Sequence, residues 1–315
     1  MVAMKVALVG TGLVGLGWAI VFARAGHDVA LYDAKPGQAE AALRRIREIL
    51  PELSELGLIG KDADLRSRIT ICGTLEAALK GAGYVQESGP ERLDVKRAIF
   101  ADLDRLADPG AIIATSSSGI RISAIAEELK GRSRCLVAHP ANPPYLLPIV
   151  EIVPASWTEP DIVRRARAFL SDAGQVPVLL NKEIDGFVLN RLQGALLHEA
   201  FRLVEDGVAT AEDVDKTVRE GLGLRWSFMG PFETIDLNAP EGLADYVERL
   251  GQMFLGLALE RGAARPWPTD LVKKIDQERR SILKRGGLSE RAAWRDRRLM
   301  ALAVHKADAD REFGA

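Results

Sequence analysis

A histidine and a glutamate, the residue types of a proton-transfer pair, lie twelve positions apart in this sequence. His139 follows the predicted strand 135–138 and begins a proline-rich segment, and Glu151 lies in the next predicted strand, 147–153, among Ile and Val residues. If the two strands are neighbours, the carboxylate can fix the imidazole tautomer and stabilise its charged form, which a general acid/base near neutral pH requires. The alternative is a structural histidine beside an edge-strand acid. The apolar neighbours of Glu151 favour a buried acid that needs a partner.

Three glycines near the amino terminus have the spacing G-x-G-x-x-G and follow an apolar run of strand length. Gly10 allows a tight turn, Gly12 lets a pyrophosphate approach the backbone, and Gly15 lets the next helix pack against the strand. That helix begins near Leu13 and Val14, where its free N–H groups and dipole face the phosphates. The pattern predicts a dinucleotide site, and a tight turn without a ligand is the alternative.

The second predicted strand ends in an acid that selects between the two nicotinamide dinucleotides. Asp33 lies 18 residues beyond Gly15. A carboxylate there can bind the adenosine ribose hydroxyls and repels a 2′-phosphate. The sequence therefore predicts NAD as the cofactor, although the neighbouring Lys35 could favour NADP.

Two further polar residues have both a structural and a functional interpretation. Ser118 closes a serine run after a β-branched strand, where serine commonly caps a helix or forms a turn. Asn190 lies about one turn into a long apolar helix, where its amide could bond within a helix interface or donate to a substrate oxygen. From these residues alone, both interpretations stay open.

The elements that must position these side chains follow from the alternation of strands and helices. Strands alternate with helices up to about residue 184, and from Asp185 onward the pattern is helical only. The sequence therefore predicts the α/β class: a doubly wound, mostly parallel Rossmann-type sheet in residues 1–184, then an all-helical C-terminal domain in residues 185–315. In such sheets ligands bind beyond the carboxyl ends of the strands.

Composition excludes several classes of function. The 315 residues carry a net charge of −2, which provides no basic field for nucleic acid or an anionic membrane. No apolar run approaches the ~20 residues that span a bilayer, and no metal-ligand spacing occurs. Two cysteines and a first strand without a signal-peptide pattern make the cytoplasm the expected compartment. The apolar excess of the helical domain predicts a homodimer.

Several motifs in order along the whole chain resemble the 3-hydroxyacyl-CoA dehydrogenase family, and most closely its λ-crystallin/L-gulonate 3-dehydrogenase branch. The branch is indicated by a His-Pro-x-Asn-Pro-Pro loop, by the stretch 220–234 and by the Trp-Arg-Asp sequence at 294–296. The motifs are Gly10-x-Gly12-x-x-Gly15, Pro90-Glu91 with Lys96, Ser118, His139-Pro140-Ala141-Asn142-Pro143-Pro144, Glu151, and Gly186-Phe187-Val188-Leu189-Asn190-Arg191.

This resemblance implies an NAD-dependent oxidoreductase that interconverts a 3-hydroxy acid and its 3-keto acid by hydride transfer. It implies His139 as the acid/base and Glu151 as its partner. It also implies that Ser118 and Asn190 hydrogen-bond the reacting oxygen. The resemblance further implies that Asp33, Glu91 and Lys96 line the NAD site.

The identity of the substrate stays open at this level. A small free 3-hydroxy acid such as L-gulonate needs a cation for its carboxylate, and Arg225 is the candidate, although a surface ion pair explains it equally well. A 3-hydroxyacyl-CoA thioester needs a basic groove, and no Lys/Arg run stands beside the motifs. The third hypothesis is a crystallin-like structural protein that binds NAD without catalysis; the retained candidate residues count against it.

Overall fold

The computed structural model describes residues 3–60, 65–260 and 266–314, which pack as two units. The first comprises the chain up to Arg191 together with the residues from Arg295, and the second comprises Leu192–Trp294. The first unit extends past residue 184 because Phe187 is buried in one of its two hydrophobic cores. It also includes the last helical residues because Met300 is buried in the other core. The domain ranges 1–184 and 185–315 stay a prediction.

One eight-stranded sheet organises the first unit within the described residues. Its strands are β1 (Lys5–Val9), β2 (Asp28–Tyr32), β3 (Ile69–Ile71), β4 (Tyr84–Glu87), β5 (Ile112–Thr115), β6 (Cys135–Pro140), β7 (Ile149–Pro154) and β8 (Val176–Leu179). The spatial order is β3-β2-β1-β4-β5-β6-β7-β8, and only the β6–β7 pair is antiparallel. The predicted doubly wound, mostly parallel sheet is confirmed.

Helices cover both faces of this sheet. They are α1 (Leu13–Arg24), α2 (Gln38–Glu55), α3 (Leu75–Leu79), α4 (Leu93–Leu106), α5 (Ile122–Ala126) and α6 (Pro160–Asp172). Alternate residues of β1 enter opposite cores: Val6 and Leu8 pack with α1, α2 and α6, whereas Ala7 and Val9 pack with α3, α4 and α5. Burial on both faces explains why the strands read as nearly continuous apolar runs.

Among the described residues that follow β8, the regular elements are all helices, as predicted. The helices are α7 (Leu189–Glu205), α8 (Ala211–Thr217), α9 (Gly223–Trp226), α10 (Pro231–Asp236), α11 (Leu243–Glu260), α12 (Thr269–Ile282) and α13 (Leu288–Phe313). Within the second unit, the buried core among described residues is small and consists of Val204, Ala211 and Leu271. None of the described helices combines the length and apolar character needed to cross a bilayer.

Candidate active site

The glycine turn between β1 and α1 requires glycine at two positions and leaves open space at the third. Gly10 has φ +93°, and a Cβ there would lie 2.7 Å from the carbonyl carbon of Ser88. A Cβ on Gly15 would lie 2.0 Å from the Gly10 carbonyl oxygen. Gly12 has no heavy atom within 4 Å of its Cβ position, so a ligand can approach its backbone. The next residue, Leu13, is exposed.

A cavity of about 530 Å³ opens beside this turn, between the ends of β1, β2 and β4. Asp33 lines it and is tied to the glycine turn, because its Oδ2 accepts hydrogen bonds from the backbone N–H (2.7 Å) and the hydroxyl (2.9 Å) of Thr11. Its Oδ1 accepts the backbone N–H of Lys35 at 2.9 Å. The open backbone at Gly12 and the acid at the end of β2 fit the pyrophosphate and ribose of NAD.

Lys96 of α4 lies beneath this edge of the sheet and not in the cavity wall. Its Nζ is 2.9 Å from Oε2 of Glu87 and 3.5 Å from Oε2 of Glu91, and its side chain is 1 % exposed. Glu87, fully buried, also accepts from the Thr115 hydroxyl. Sequence reasoning missed Glu87, although an acid that ends a buried apolar strand could have drawn attention to it. The predicted NAD contact of Lys96 stays a prediction.

Glu91 holds the serine turn after β5. Its Oε1 accepts hydrogen bonds from the Ser117 hydroxyl (2.7 Å) and from the backbone N–H groups of Ser118 (3.0 Å) and Gly119 (3.1 Å). Partial burial raises the pKa of Glu91, but these bonds and the nearby Lys96 ammonium outweigh it, so the pKa is lowered. The ionised carboxylate therefore fixes the turn that carries Ser118.

His139 and Glu151 lie directly opposite each other on the antiparallel strands β6 and β7. Nδ1 of His139 is 2.8 Å from Oε2 of Glu151, and both side chains are buried. Oε1 of Glu151 accepts the backbone N–H groups of Val188 (2.7 Å) and Leu189 (3.0 Å) at the start of α7. Burial raises the pKa of Glu151. The hydrogen bonds from His139 and the two amides lower the pKa by more than burial raises it, so the net shift is downward.

The structure also brings Asn190 and Ser118 together. Nδ2 of Asn190 donates to the backbone oxygen of Ser118 at 2.7 Å. One N–H of the amide is thus used on the serine turn, and the amide has a second N–H to offer. Phe187 is fully buried, and its ring centre lies 5.5 Å from that of the His139 imidazole. The predicted bonds of Ser118 and Asn190 to a reacting oxygen stay a prediction.

A chain of buried and partly buried hydrogen bonds, which the sequence did not predict, supports the strand ends beneath these residues. The Tyr84 hydroxyl donates to Oε1 of Gln86 (2.8 Å), whose Nε2 donates to the Ser116 hydroxyl (2.8 Å). The Trp18 indole N–H also donates to that hydroxyl (3.1 Å), and the Ser88 hydroxyl lies 2.9 Å from it. Complete burial raises the pKa of Tyr84, so its phenol stays a neutral donor. Ser116 therefore joins α1, β4 and β5.

Arg225 lies in the second unit, on the short helix α9. Its side chain is exposed, and it forms no ion pair with any residue that the structure describes. The surface ion pair considered as an alternative is therefore not found among the described residues. Whether Arg225 binds a substrate carboxylate stays a prediction.

The fold, the glycine turn and the acid at the end of β2 define an NAD-dependent oxidoreductase. The family model for the NAD-binding domain of 3-hydroxyacyl-CoA dehydrogenase matches residues 5–184, and the model for the C-terminal domain of that enzyme matches residues 186–282. The chain belongs to the 3-hydroxyacyl-CoA dehydrogenase family.

The chain is also similar to individual proteins of known name. The chain is 40 % identical over 306 residues to λ-crystallin of Oryctolagus cuniculus, covering 96 % of each protein. It is 41 % identical to the L-carnitine dehydrogenase of Streptomyces griseus, covering 78 % of this chain and 73 % of that one. The solved structure of 5-formyl-3-hydroxy-2-methylpyridine-4-carboxylic acid 5-dehydrogenase superposes with a TM-score of 0.84 at 26 % identity, covering 96 % of this chain and 98 % of that one.

Proposed function

We propose that this protein interconverts a small free 3-hydroxy acid and its 3-keto acid with NAD, in the manner of L-gulonate 3-dehydrogenase. The observation that carries the proposal is the buried pair of His139 and Glu151, with the carboxylate anchored by two backbone amides. Bound NAD would supply the acceptor for a hydride from the carbon bearing the hydroxyl, and bound NADH would supply the donor for the reverse direction.

The protein supplies the proton transfer. Because the pKa of Glu151 is lowered, its carboxylate is ionised and accepts from Nδ1–H of His139. In the neutral ring, Nε2 is then the unprotonated nitrogen, which takes the hydroxyl proton in the oxidation and returns it in the reduction. The Glu151 carboxylate stabilises the imidazolium formed at that moment.

Ser118 and Asn190 orient the reacting oxygen in this mechanism. The Glu91 carboxylate fixes the backbone of the serine turn, and the Asn190 amide is fixed by its bond to that turn. Holding the oxygen in line between base and hydride acceptor can supply several kcal/mol of the barrier reduction. The glycine turn and Asp33 hold the dinucleotide.

Three features support a small free acid as the substrate. The branch motifs of the sequence resemble L-gulonate 3-dehydrogenases. Two of the compared proteins are named for small molecules and not for CoA thioesters: L-carnitine and a pyridine carboxylic acid. Arg225 offers an exposed guanidinium, which can bind a carboxylate bidentately. The alternative, a 3-hydroxyacyl-CoA thioester, is favoured by the family's name.

A direct assay separates these substrates. NADH formation is measured with L-gulonate, L-carnitine, 3-hydroxybutyrate and 3-hydroxybutyryl-CoA, and we expect the highest kcat/KM with a free acid. Arg225→Gln should raise the KM for that acid about tenfold, whereas Arg249→Gln, which removes an exposed arginine paired with Asp245, should leave it unchanged. Preference for the thioester would refute the substrate. NADH binding without turnover of any compound would favour the crystallin-like role.

We also propose that the functional unit is a homodimer formed through the helical unit. Helix α11 has no buried residue, and Val247, Phe254 and Leu257 on it are each about half exposed. Apolar side chains at this density on one helix are typical of a subunit contact. Sedimentation at micromolar concentration should give a species of twice the chain mass of 34.2 kDa. A monomer under those conditions would refute the homodimer.

A further inference from the structure

Helix α1 contains a second buried glycine that the dinucleotide fingerprint does not explain. Gly17 lies two residues after Gly15, inside the helix, where a glycine makes the helix less stable than an alanine would. A Cβ on Gly17 would lie 2.5 Å from Cδ and 3.1 Å from Cγ of Pro144. Real Cβ atoms do not approach a ring this closely. Gly17 is therefore the point at which Pro144 touches the cofactor-binding helix.

Pro144 belongs to the loop 141–148, which connects the two strands of the proton-transfer pair. The loop begins two residues after His139 and ends three residues before Glu151. The amides of Leu146 and Leu147 close a turn inside it by donating to the Pro143 carbonyl oxygen, each at 3.0 Å. A displacement of this loop therefore acts on both strand ends.

A second contact holds the same loop on the same face of α1. Nη1 of Arg24 donates to the backbone oxygen of Tyr145 at 2.8 Å. Gly17 and Arg24 are seven residues apart, close to two helical turns, so both lie on the face of α1 that contacts the loop. Tyr145 and Leu146 are buried in the core that also contains α1. The loop thus rests on α1 at two points, with the close approach at Gly17.

We propose that Gly17 is a positioning residue for the dehydrogenase reaction. By letting Pro144 sit against α1, it sets the distance between the helix that binds the dinucleotide and the loop between the His139 and Glu151 strands. The inference rests on the proposed function and adds to it a residue that contacts neither substrate nor cofactor. Misplacement of reacting groups by about 1 Å can cost ~10²-fold in rate.

The test is a substitution with its own rescue. Gly17→Ala adds one methyl group that the Pro144 ring cannot accommodate, and we expect kcat to fall 10- to 100-fold. The NADH dissociation constant should stay within about twofold, because Gly10, Gly12 and Gly15 are untouched. Pro144→Ala removes both clashing ring atoms. The double variant Gly17→Ala/Pro144→Ala should therefore recover most of the wild-type kcat.

A matched control and a second measurement decide the remaining outcomes. Gly110→Ala makes the same change at an exposed turn before β5, where the Cβ meets only ordinary contacts, and should leave kcat unchanged. Hydrogen exchange at Leu146 and Leu147 should quicken in Gly17→Ala and return to normal in the double variant, whether or not a substrate is known.

Wild-type kcat or unchanged loop exchange in Gly17→Ala would overturn the inference. Parallel loss of kcat and NADH binding, or a double variant without recovery, would also overturn it. Absence of turnover in the wild-type protein would count against the proposed function alone.

Discussion

Two buried acid–base pairs lie at the edge of the same sheet and differ in what surrounds the base. Lys96 pairs with Glu87, and its ammonium also lies near the carboxylate of Glu91 and the hydroxyl of Thr115. His139 pairs with Glu151 through one ring nitrogen, and its ring centre lies 5.5 Å from that of Phe187. The first base is enclosed by acceptors, whereas the second has one nitrogen engaged and a second that can exchange a proton.

In the proposed mechanism, this difference separates a structural ion pair from a catalytic one. The Lys96 ammonium is held by two carboxylates, so its charge serves to fix the strand ends and the acid that holds the serine turn. A histidine with one ring nitrogen engaged by a carboxylate can serve as a general acid/base through the other nitrogen. Burial and ion pairing are common to both, so neither property alone would identify a catalytic pair.

Breaking the lysine pair should have the largest effect, which we expect as a loss of stability. Lys96→Met leaves the Glu87 carboxylate buried without its counter-charge, and loss of one partner of a buried pair costs about 3–5 kcal/mol. The free energy of unfolding, measured by urea denaturation, should fall by that amount. The double variant Glu87→Gln/Lys96→Met removes both charges and should regain part of the loss. Wild-type stability in Lys96→Met would show that the pair does not hold this edge.

Breaking the histidine pair should instead lower the rate of turnover. His139→Gln keeps a polar side chain but removes the proton acceptor, so kcat should drop by ~10²-fold or more while NADH binding is retained. His305→Gln, at an exposed position of α13, is the control and should behave as wild type. Turnover near the wild-type rate in His139→Gln would remove His139 from the mechanism.

The smallest effect is expected from neutralising the histidine's partner. Glu151→Gln keeps the shape and the bonds from Val188 and Leu189 but removes the charge that stabilises the imidazolium, so kcat should fall about tenfold. The pKa of Glu151 is lowered in the folded protein, so its contribution to stability is complete above the ordinary value of 4.5 and is lost as pH falls through the lowered pKa.

The unfolding free energies of wild type and Glu151→Gln should therefore converge as the pH is lowered below about 4.5. Chemical denaturation at a series of pH values measures this convergence. A difference between the two proteins that stays constant down to pH 3 would contradict the lowered pKa of Glu151.

Local patterns carried much of the fold and of the site. The glycine spacing, the alternation of strands and helices, and the apolar context of Glu151 are each visible over a few residues. The sequence left open whether the strands of His139 and Glu151 are neighbours, and the structure shows that they are. The resemblance supplied the motif positions of Ser118 and Asn190.

The remaining features depend on side chains that meet from distant parts of the chain. Glu87, Lys96 and Thr115 come from a strand, a helix and the next strand, and nothing in the spacing of these residues shows that they meet. The sequence of α13 predicts a helix but does not show which core receives Met300. A glycine inside α1 is visible in the sequence, but its neighbour Pro144 is not.

The bonds of Asp33 have a consequence for anyone who wishes to redesign the coenzyme preference of this enzyme. Exchange of this acid for a small neutral residue would admit a 2′-phosphate, but it would also release the Thr11 amide and hydroxyl that the carboxylate fastens. Asparagine keeps a side-chain oxygen for the Thr11 amide. It is therefore a better first step toward NADP than alanine, with the lysine two positions later available to meet the added charge.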